Sequence, residues 1–128
     1  MRQKKEMKSL NILVADDEPG ILNLMKDALT RHGHKVTCVE NGVDAVNTLN
    51  KGNFDMIFMD IRMPRGDGLT ALKQIQAKWP ELPVIIITGC GQRDLIDEVV
   101  NMGSFACLVK PFSIRDVIAM VECVQPSL

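Results

Sequence analysis

The chain contains little of what marks several large functional classes. Aromatic residues make up only 4% of its 128 residues, which leaves little for stacking on nucleic-acid bases. The formal net charge is −1, so there is no basic field to attract nucleic acid, and we expect no direct nucleic-acid partner. No apolar run approaches membrane-spanning length, and no signal peptide follows the basic N-terminus. We therefore expect a cytoplasmic protein without a membrane partner.

The cysteines exclude a metal knuckle and favour a reduced protein. There are four, with no C-x-x-C spacing: Cys38, Cys90, Cys107 and Cys123. Cys38 and Cys107 lie in apolar runs, where a thiol usually acts as a small hydrophobe. The hydrophobic fraction of 46% and the charged fraction of 24% are those of one globular domain. We expect a solvated tail over residues 1–8, one domain over 9–125 and a short end over 126–128.

Four short apolar runs end in polar residues. Residues 10–15 lead into Asp16, Asp17 and Glu18, residues 56–59 into Asp60, residues 84–87 into Thr88, and residues 105–109 into Lys110. Apolar runs of this length are typical of buried parallel strands.

Helical periodicity alternates with these runs. A helix begins at Pro19 and stops near Gly33, and a strand at 35–39 precedes a helix whose inward residues include Val43. The third strand is predicted at 55–59, and the helix after it ends at Trp79. Further helices are predicted over 92–102 and after an N-cap at Ser113, with Leu24 of the first and Ile114 of the last facing inward. This alternation predicts an α/β fold, a five-stranded parallel sheet covered on both faces by five helices.

Parallel sheets bind ligands beyond the carboxyl ends of their strands. There Asp16, Asp17 and Asp60 would repel one another, and a set of oxygen ligands without histidine or cysteine favours Mg²⁺. Thr88 and Lys110 suit a phosphoryl group, toward which a carboxylate can act as a nucleophile. Lys110 precedes Pro111, and we expect a cis peptide bond between them.

The ordered set of motifs resembles the response regulator receiver domain of two-component signalling, over residues 9–125. The residues that carry the resemblance are Asp16-Asp17-Glu18, the stretch 59–64 with Asp67 and Gly68, Thr88, and Lys110-Pro111-Phe112. The resemblance implies a flavodoxin-like, doubly wound sheet with strand order 2-1-3-4-5.

The resemblance also implies roles for individual residues. Asp60 would accept a phosphoryl group from a sensor histidine kinase, and the domain would catalyse only its own phosphorylation and dephosphorylation. Asp17, Asp60 and the main-chain carbonyl of Arg62 would bind Mg²⁺, with Asp16 acting through water. The residues implied to hold the phosphoryl oxygens are Thr88, Lys110 and the main chains of Arg62 and Gly89.

One position departs from the family's pattern. The family places an aromatic switch residue three positions before the lysine, where this chain has Cys107. The inward movement implied for Thr88 would therefore proceed without an aromatic partner. Leu95 and Met120 are predicted to leave a spare apolar edge on the last two helices. With the fifth strand, that edge would form a surface for a homodimer or an output partner.

Two other functions compete with this one. A haloacid-dehalogenase-like Mg²⁺-dependent phosphatase would use Asp16 as nucleophile and Glu18 as acid, but the sequence lacks its second acidic pair and its capping insert. A flavodoxin-like cofactor binder is disfavoured because three carboxylates would repel a cofactor phosphate. Among lesser signals, Glu18 is either a charge at a helix start or a partner of the metal ligands, and we favour the former. We interpret His32 and His34 as a solvated pair. We expect Trp79 to lie far from the site.

Overall fold

The computed structural model describes residues 9–63, 68–89 and 106–124. The strands are β1 (Asn11–Ala15), β2 (Lys35–Val39), β3 (Met56–Asp60), β4 (Val84–Thr88) and β5 (Ala106–Val109). The helices are α1 (Pro19–Arg31), α2 (Gly42–Lys51), α3 (Gly68–Lys78) and α4 (Ile114–Val124).

The five strands form one parallel sheet in the order β2-β1-β3-β4-β5, as predicted. Four helices lie in the described residues. The helix predicted over 92–102 falls outside them, as do the predicted tail at 1–8 and the end at 126–128. None of the described helices has the length and apolar character that a membrane crossing needs.

The central strands of the sheet are buried from solvent because they are apolar on both faces. All five residues of β3 and all five of β4 are buried, whereas the edge strand β2 exposes Lys35 and Thr37. Both central strands run one residue further than the apolar pattern predicted, so Asp60 and Thr88 are themselves the last residues of their strands. The polar groups of the site are thus held by the sheet ladder.

Side-chain caps fix the starts of two helices. Asn41 Oδ1 accepts a hydrogen bond of 2.8 Å from the Asp44 N–H at the start of α2. At the start of α4, Ser113 Oγ accepts from the Asp116 N–H, and the Asp116 carboxylate accepts from the Ser113 N–H. This reciprocal pair is a capping box, and it satisfies N–H groups that the first turn leaves unpaired.

The core consists of two clusters on opposite faces of the sheet. The α2/α3 core contains Leu13, Ile57 and Ile86 together with buried residues of α2 and α3. The α1/α4 core contains Phe58 and Ile85 together with buried residues of α1 and α4. Since successive strand residues point to opposite faces, each central strand supplies both cores.

Three residues predicted to face inward are exposed. Val43 is 57% exposed, because α2 packs through the smaller Gly42 and Ala45 instead. Ile114, the first residue of α4, is 42% exposed. Leu24 of α1 is exposed as well, next to Met25, which is the first buried residue of that helix. Helical spacing identifies the correct side of a helix, but small residues at close approach shift the buried stripe.

The interpretation of His34 as one of a pair of solvated histidines is wrong. Its side chain is buried, and its Nδ1 accepts a hydrogen bond of 3.0 Å from the Leu10 N–H. Burial, with the nearby charge of His32 as a smaller contribution, lowers the pKa of His34. The acceptor role requires a neutral ring with its proton on Nε2. His34 is therefore a structural residue that ties the loop after α1 to the segment before β1.

Candidate functional site: a carboxylate and lysine cluster

The register of the sheet aligns four strand ends. Ala15 pairs with both Val39 and Met59, so Asp16 leaves β1 beside Asp60, the last residue of β3. Thr88 ends β4 opposite Val109, and the Lys110 N–H donates to the Thr88 carbonyl at 2.7 Å. These residues lie at the carboxyl edge of the sheet, where parallel α/β sheets bind their ligands.

Four carboxylates converge at this edge. Asp16, Asp17, Glu18 and Asp60 each offer one oxygen, and these oxygens all lie within 4.8 Å of one another. Asp16 and Asp60 are buried, Asp17 is partly buried and Glu18 is exposed. The structure thus brings together the three aspartates singled out from the sequence.

Both carboxylate loops turn immediately after their strands. Asp16 Oδ1 accepts a hydrogen bond from the Glu18 N–H, and Asp60 Oδ1 accepts one from the Arg62 N–H, each at 2.8 Å. An aspartate that binds the backbone two residues on makes the chain turn and fixes its own side chain. In each aspartate this contact leaves Oδ2 to face the centre of the cluster.

Lys110 lies among the acids. Its Nζ is 2.8 Å from Glu18 Oε1, 3.1 Å from Asp60 Oδ2 and 3.3 Å from Asp16 Oδ2. Burial acts to lower the pKa of Lys110, but hydrogen bonds to Glu18 and Asp60 and the charges of Asp16 and Asp60 raise it well above its ordinary value. The lysine is therefore a fixed cation at neutral pH.

Asp16 is the carboxylate of the cluster whose ionised form is most disfavoured. Burial raises the pKa of Asp16 from 3.8 to about 6, the Glu18 N–H acts in the opposite direction, Asp60 raises it further, and Lys110 lowers it. Its Oδ2 is the one buried side-chain oxygen or nitrogen in the described residues that has no hydrogen-bond partner. Lys110 Nζ lies 3.3 Å from that oxygen and forms an ion pair with it. A buried, unsatisfied oxygen within an all-oxygen set fits a hard divalent cation such as Mg²⁺.

The remaining predicted site residues surround the same point. Thr88 is fully buried, and a Cβ at Gly89 would meet no atom of the described residues within 4 Å. Arg62 reaches Asp60 through its main chain, while its side chain is exposed. The Lys110–Pro111 peptide bond is cis, as the sequence led us to expect. Asp67 and Cys90 lie outside the described residues.

Cys107 occupies the position where an aromatic switch residue was expected from the resemblance. It lies on β5 opposite Ile86 and packs, partly buried, against the α2/α3 core. Burial raises the pKa of the Cys107 thiol, so it is neutral at physiological pH. It acts here as a small apolar side chain.

Sequence reasoning missed the part that Glu18 plays. Glu18 is the N-cap residue of α1, as a helix-start charge would be, but its side chain makes no capping hydrogen bond and instead contacts Lys110. Its place directly after Asp16 and Asp17, in a site that needs a lysine, was the available signal.

Gly68 is a second residue whose role the sequence left unassigned. A Cβ at Gly68 would come within 2.5 Å of the Asp60 carbonyl oxygen and of Ile61 Cα. The first turn of α3 therefore lies directly against the backbone that carries Asp60. Glycine permits this close approach.

The spare apolar edge predicted on the last helix is smaller than expected. Met120 packs against the α1/α4 core, whereas Ala119 and Cys123 are exposed. Val109 of β5 is exposed as well. Leu95, the other residue of that edge, lies outside the described residues.

The fold and the cluster together define a receiver domain. The family model described as the response regulator receiver domain matches residues 12–122, and the chain belongs to this family. The resemblance inferred from the motifs is thereby confirmed. The phosphatase alternative receives no support from this match.

Individual relatives and solved structures agree with this family assignment. The DNA-binding transcriptional regulator NtrC of Proteus hauseri is 37% identical over 116 residues, which are 91% of this chain and 24% of that protein. The transcriptional regulatory protein PdtaR of Mycobacterium tuberculosis is 35% identical over 87% of this chain and 54% of its own length. The chain thus spans between about a quarter and about half of the length of these relatives.

The receiver domain of the Francisella response regulator 1452 aligns with a TM-score of 0.84 and 32% identity, covering 91% of this chain and 96% of that one. NtrX from Brucella abortus aligns with a TM-score of 0.87 and 30% identity, covering 91% and 27%.

Proposed function

We propose that this receiver domain, taken as residues 9–125, accepts a phosphoryl group on Asp60 from a phosphohistidine of a sensor histidine kinase. The observation that carries the proposal is the position of Asp60 Oδ2. It lies 3.1 Å from the Lys110 ammonium and inside a cluster of carboxylates. A nucleophilic oxygen beside a fixed cation is what transfer of a negatively charged phosphoryl group requires.

The transfer balances with the groups present. An Asp60 carboxylate oxygen forms a bond to phosphorus as the phosphorus–nitrogen bond to the histidine breaks. The electron pair of that bond remains on the histidine nitrogen, which takes up a proton from solvent. Lys110, the Thr88 hydroxyl and the main-chain N–H groups of Arg62 and Gly89 hold the phosphoryl oxygens of the resulting acyl phosphate.

Mg²⁺ is the cation that the donor set fits best. Asp16, Asp17, Asp60 and the main-chain carbonyl of Arg62 would hold it, an all-oxygen set that includes the unsatisfied Asp16 Oδ2. When bound, the cation neutralises negative charge on the phosphoryl oxygens.

The proposal is tested with a small phosphodonor. The chain is incubated with acetyl phosphate and Mg²⁺, and the labelled residue is located by mass spectrometry. We expect one phosphoryl group on Asp60, its loss in Asp60→Asn, and its loss on chelation of the metal. Asp27→Asn is the matched control, because Asp27 is exposed on α1 and pairs only with Arg31 among the described residues.

The same experiment separates this function from the phosphatase alternative. A label that persists in Asp60→Asn and disappears in Asp16→Asn would place the nucleophile on β1 and overturn the proposal. A label on neither residue would overturn it as well.

The proposed output surface includes β5 and α4. In its described part, Val109 and Ile114 are 43% and 42% exposed. We infer that phosphorylation at Asp60 reaches this surface through Thr88, which pairs with Val109 in the sheet. Cys107 would take part in this movement as a small side chain. A homodimer or an output partner would bind the surface. If Val109→Glu and Ile114→Glu alter neither self-association nor partner binding after phosphorylation, another surface carries the output.

A further inference from the structure

Lys110 contacts three carboxylates. They differ in how much free energy it costs to break the contact with the lysine. The contact with Glu18 is the shortest, at 2.8 Å. The side chains of Asp16 and Asp60 are 0% and 6% exposed, whereas that of Glu18 is 58% exposed. A buried carboxylate without its cation keeps an uncompensated charge, while an exposed one is rehydrated. Glu18 is therefore the partner that Lys110 can leave at the lowest cost.

The backbone of Glu18 is fixed even though its side chain is exposed. Its N–H donates to Asp16 Oδ1 at 2.8 Å, and its carbonyl accepts from the N–H groups of Ile21 and Leu22 at 3.1 Å each. The turn and the first turn of α1 thus hold the Cα of Glu18 beside the cluster. Only side-chain rotation is needed to make or break the contact with Lys110.

We propose that Glu18 is a positioning residue that holds Lys110 at the mouth of the site until an incoming phosphoryl group displaces it. The inference rests on the proposed function, since it concerns delivery of a phosphoryl group to Asp60. An anionic donor and the Glu18 carboxylate compete for the same ammonium. Glu18 therefore weakens the capture of the donor and has little effect on the chemical step that follows.

The test measures how phosphorylation depends on donor concentration in Glu18→Gln. With acetyl phosphate at saturating Mg²⁺, we expect the apparent KM for the donor to fall about two- to fivefold, the range set by exposed ion pairs. The limiting rate should change less. The variant should fold, because the replaced side chain is exposed and its backbone hydrogen bonds are retained.

The matched control is Glu81→Gln, which removes the same charge from an exposed residue in the loop before β4, at the opposite edge of the sheet. It should keep the wild-type KM. Equal values of KM in Glu18→Gln and Glu81→Gln would overturn the inference.

A Mg²⁺ titration of each variant provides the second readout. The quantity compared is the Mg²⁺ concentration that gives half-maximal phosphorylation. We expect Glu18→Gln to shift it from the wild-type value by no more than Glu81→Gln does. A large increase in Glu18→Gln alone, with slower phosphorylation, would make Glu18 part of the cation site and overturn the inference. A wild-type chain that takes no phosphoryl group would overturn the proposed function and this inference with it. A labelled wild type with an unchanged Glu18→Gln variant would overturn the inference alone.

Discussion

Replacing Asp16 by asparagine should stabilise the metal-free protein at neutral pH. The pKa of Asp16 is raised from 3.8 to about 6, mainly by burial. One pKa unit corresponds to about 1.4 kcal/mol, so ionised Asp16 opposes folding by about 3 kcal/mol above pH 7. The asparagine side chain would keep the oxygen that accepts the Glu18 N–H but would turn an amide toward Lys110. We therefore expect a net gain of about 1–2 kcal/mol in the free energy of unfolding.

The difference in stability between Asp16→Asn and the wild type, followed as a function of pH, isolates this group. The folded pKa of Asp16 lies above the unfolded value, so the folded state binds more protons between them. The contribution of this group to stability is full below about pH 4 and is lost as the pH rises through about 6. Between pH 7.5 and pH 5 the wild type recovers about 1 kcal/mol that Asp16→Asn does not. The difference in stability between the two proteins should shrink by that amount.

The assay is urea unfolding in the presence of a chelator at pH 7.5 and pH 5, for the wild type and for Asp16→Asn. Asp27→Asn is the control, and its difference from the wild type should stay within about 0.5 kcal/mol at both values of pH. A difference for Asp16→Asn that does not change with pH would refute the electrostatic reasoning. So would a variant that is less stable than the wild type at pH 7.5.

Three further predictions follow from other parts of the molecule. Millimolar Mg²⁺ should raise the Tm of the wild type by mass action while changing Trp79 fluorescence little, because Trp79 lies beside Pro83 at the opposite edge of the sheet; an unchanged Tm, or a large quench, would count against the site. His34 has a lowered pKa, so the contribution of His34 to folding stability should be lost as the pH falls below about 6.5. An NMR titration with a His34 midpoint at or above 6.5 would contradict its buried, neutral state. Gly68→Ala should lower the free energy of unfolding by about 1–3 kcal/mol, since its Cβ meets backbone atoms at 2.5 Å. In the control Gly20→Ala, the new Cβ meets no atom of the described residues within 4 Å, so this change should be neutral or stabilising. Equal effects of the two changes in urea unfolding would contradict the crowding argument.

The sheet was predictable from sequence because its central strands are uniformly apolar. A short apolar run such as 84–87, bounded by polar and turn residues, is typical of a strand buried on both faces, and the polar residue that follows each run marks the carboxyl edge. The same logic predicts that Asp60 and Lys110 lie at one edge of the sheet. The motifs then predicted the order of the strands through the family resemblance.

The errors arose where tertiary contacts override local pattern. His34 is polar in sequence, but a backbone N–H from a segment 24 residues earlier gives its ring a buried partner. Val43 has the right helical spacing, but α2 approaches the sheet through Gly42 and Ala45. Glu18 carries a charge suited to a helix start, and only the three-dimensional position of Lys110 reveals a stronger partner. Partners distant in the chain leave no mark on the local sequence.

The separation of the core into two layers has a consequence for substitutions. Phe58 and Ile85 anchor the sheet to α1 and α4, while their neighbours Ile57 and Ile86 anchor it to α2 and α3. Each pair of helices is therefore attached to the sheet through its own set of strand side chains. We therefore expect a substitution confined to one face of the sheet to leave the anchoring side chains of the other face in place.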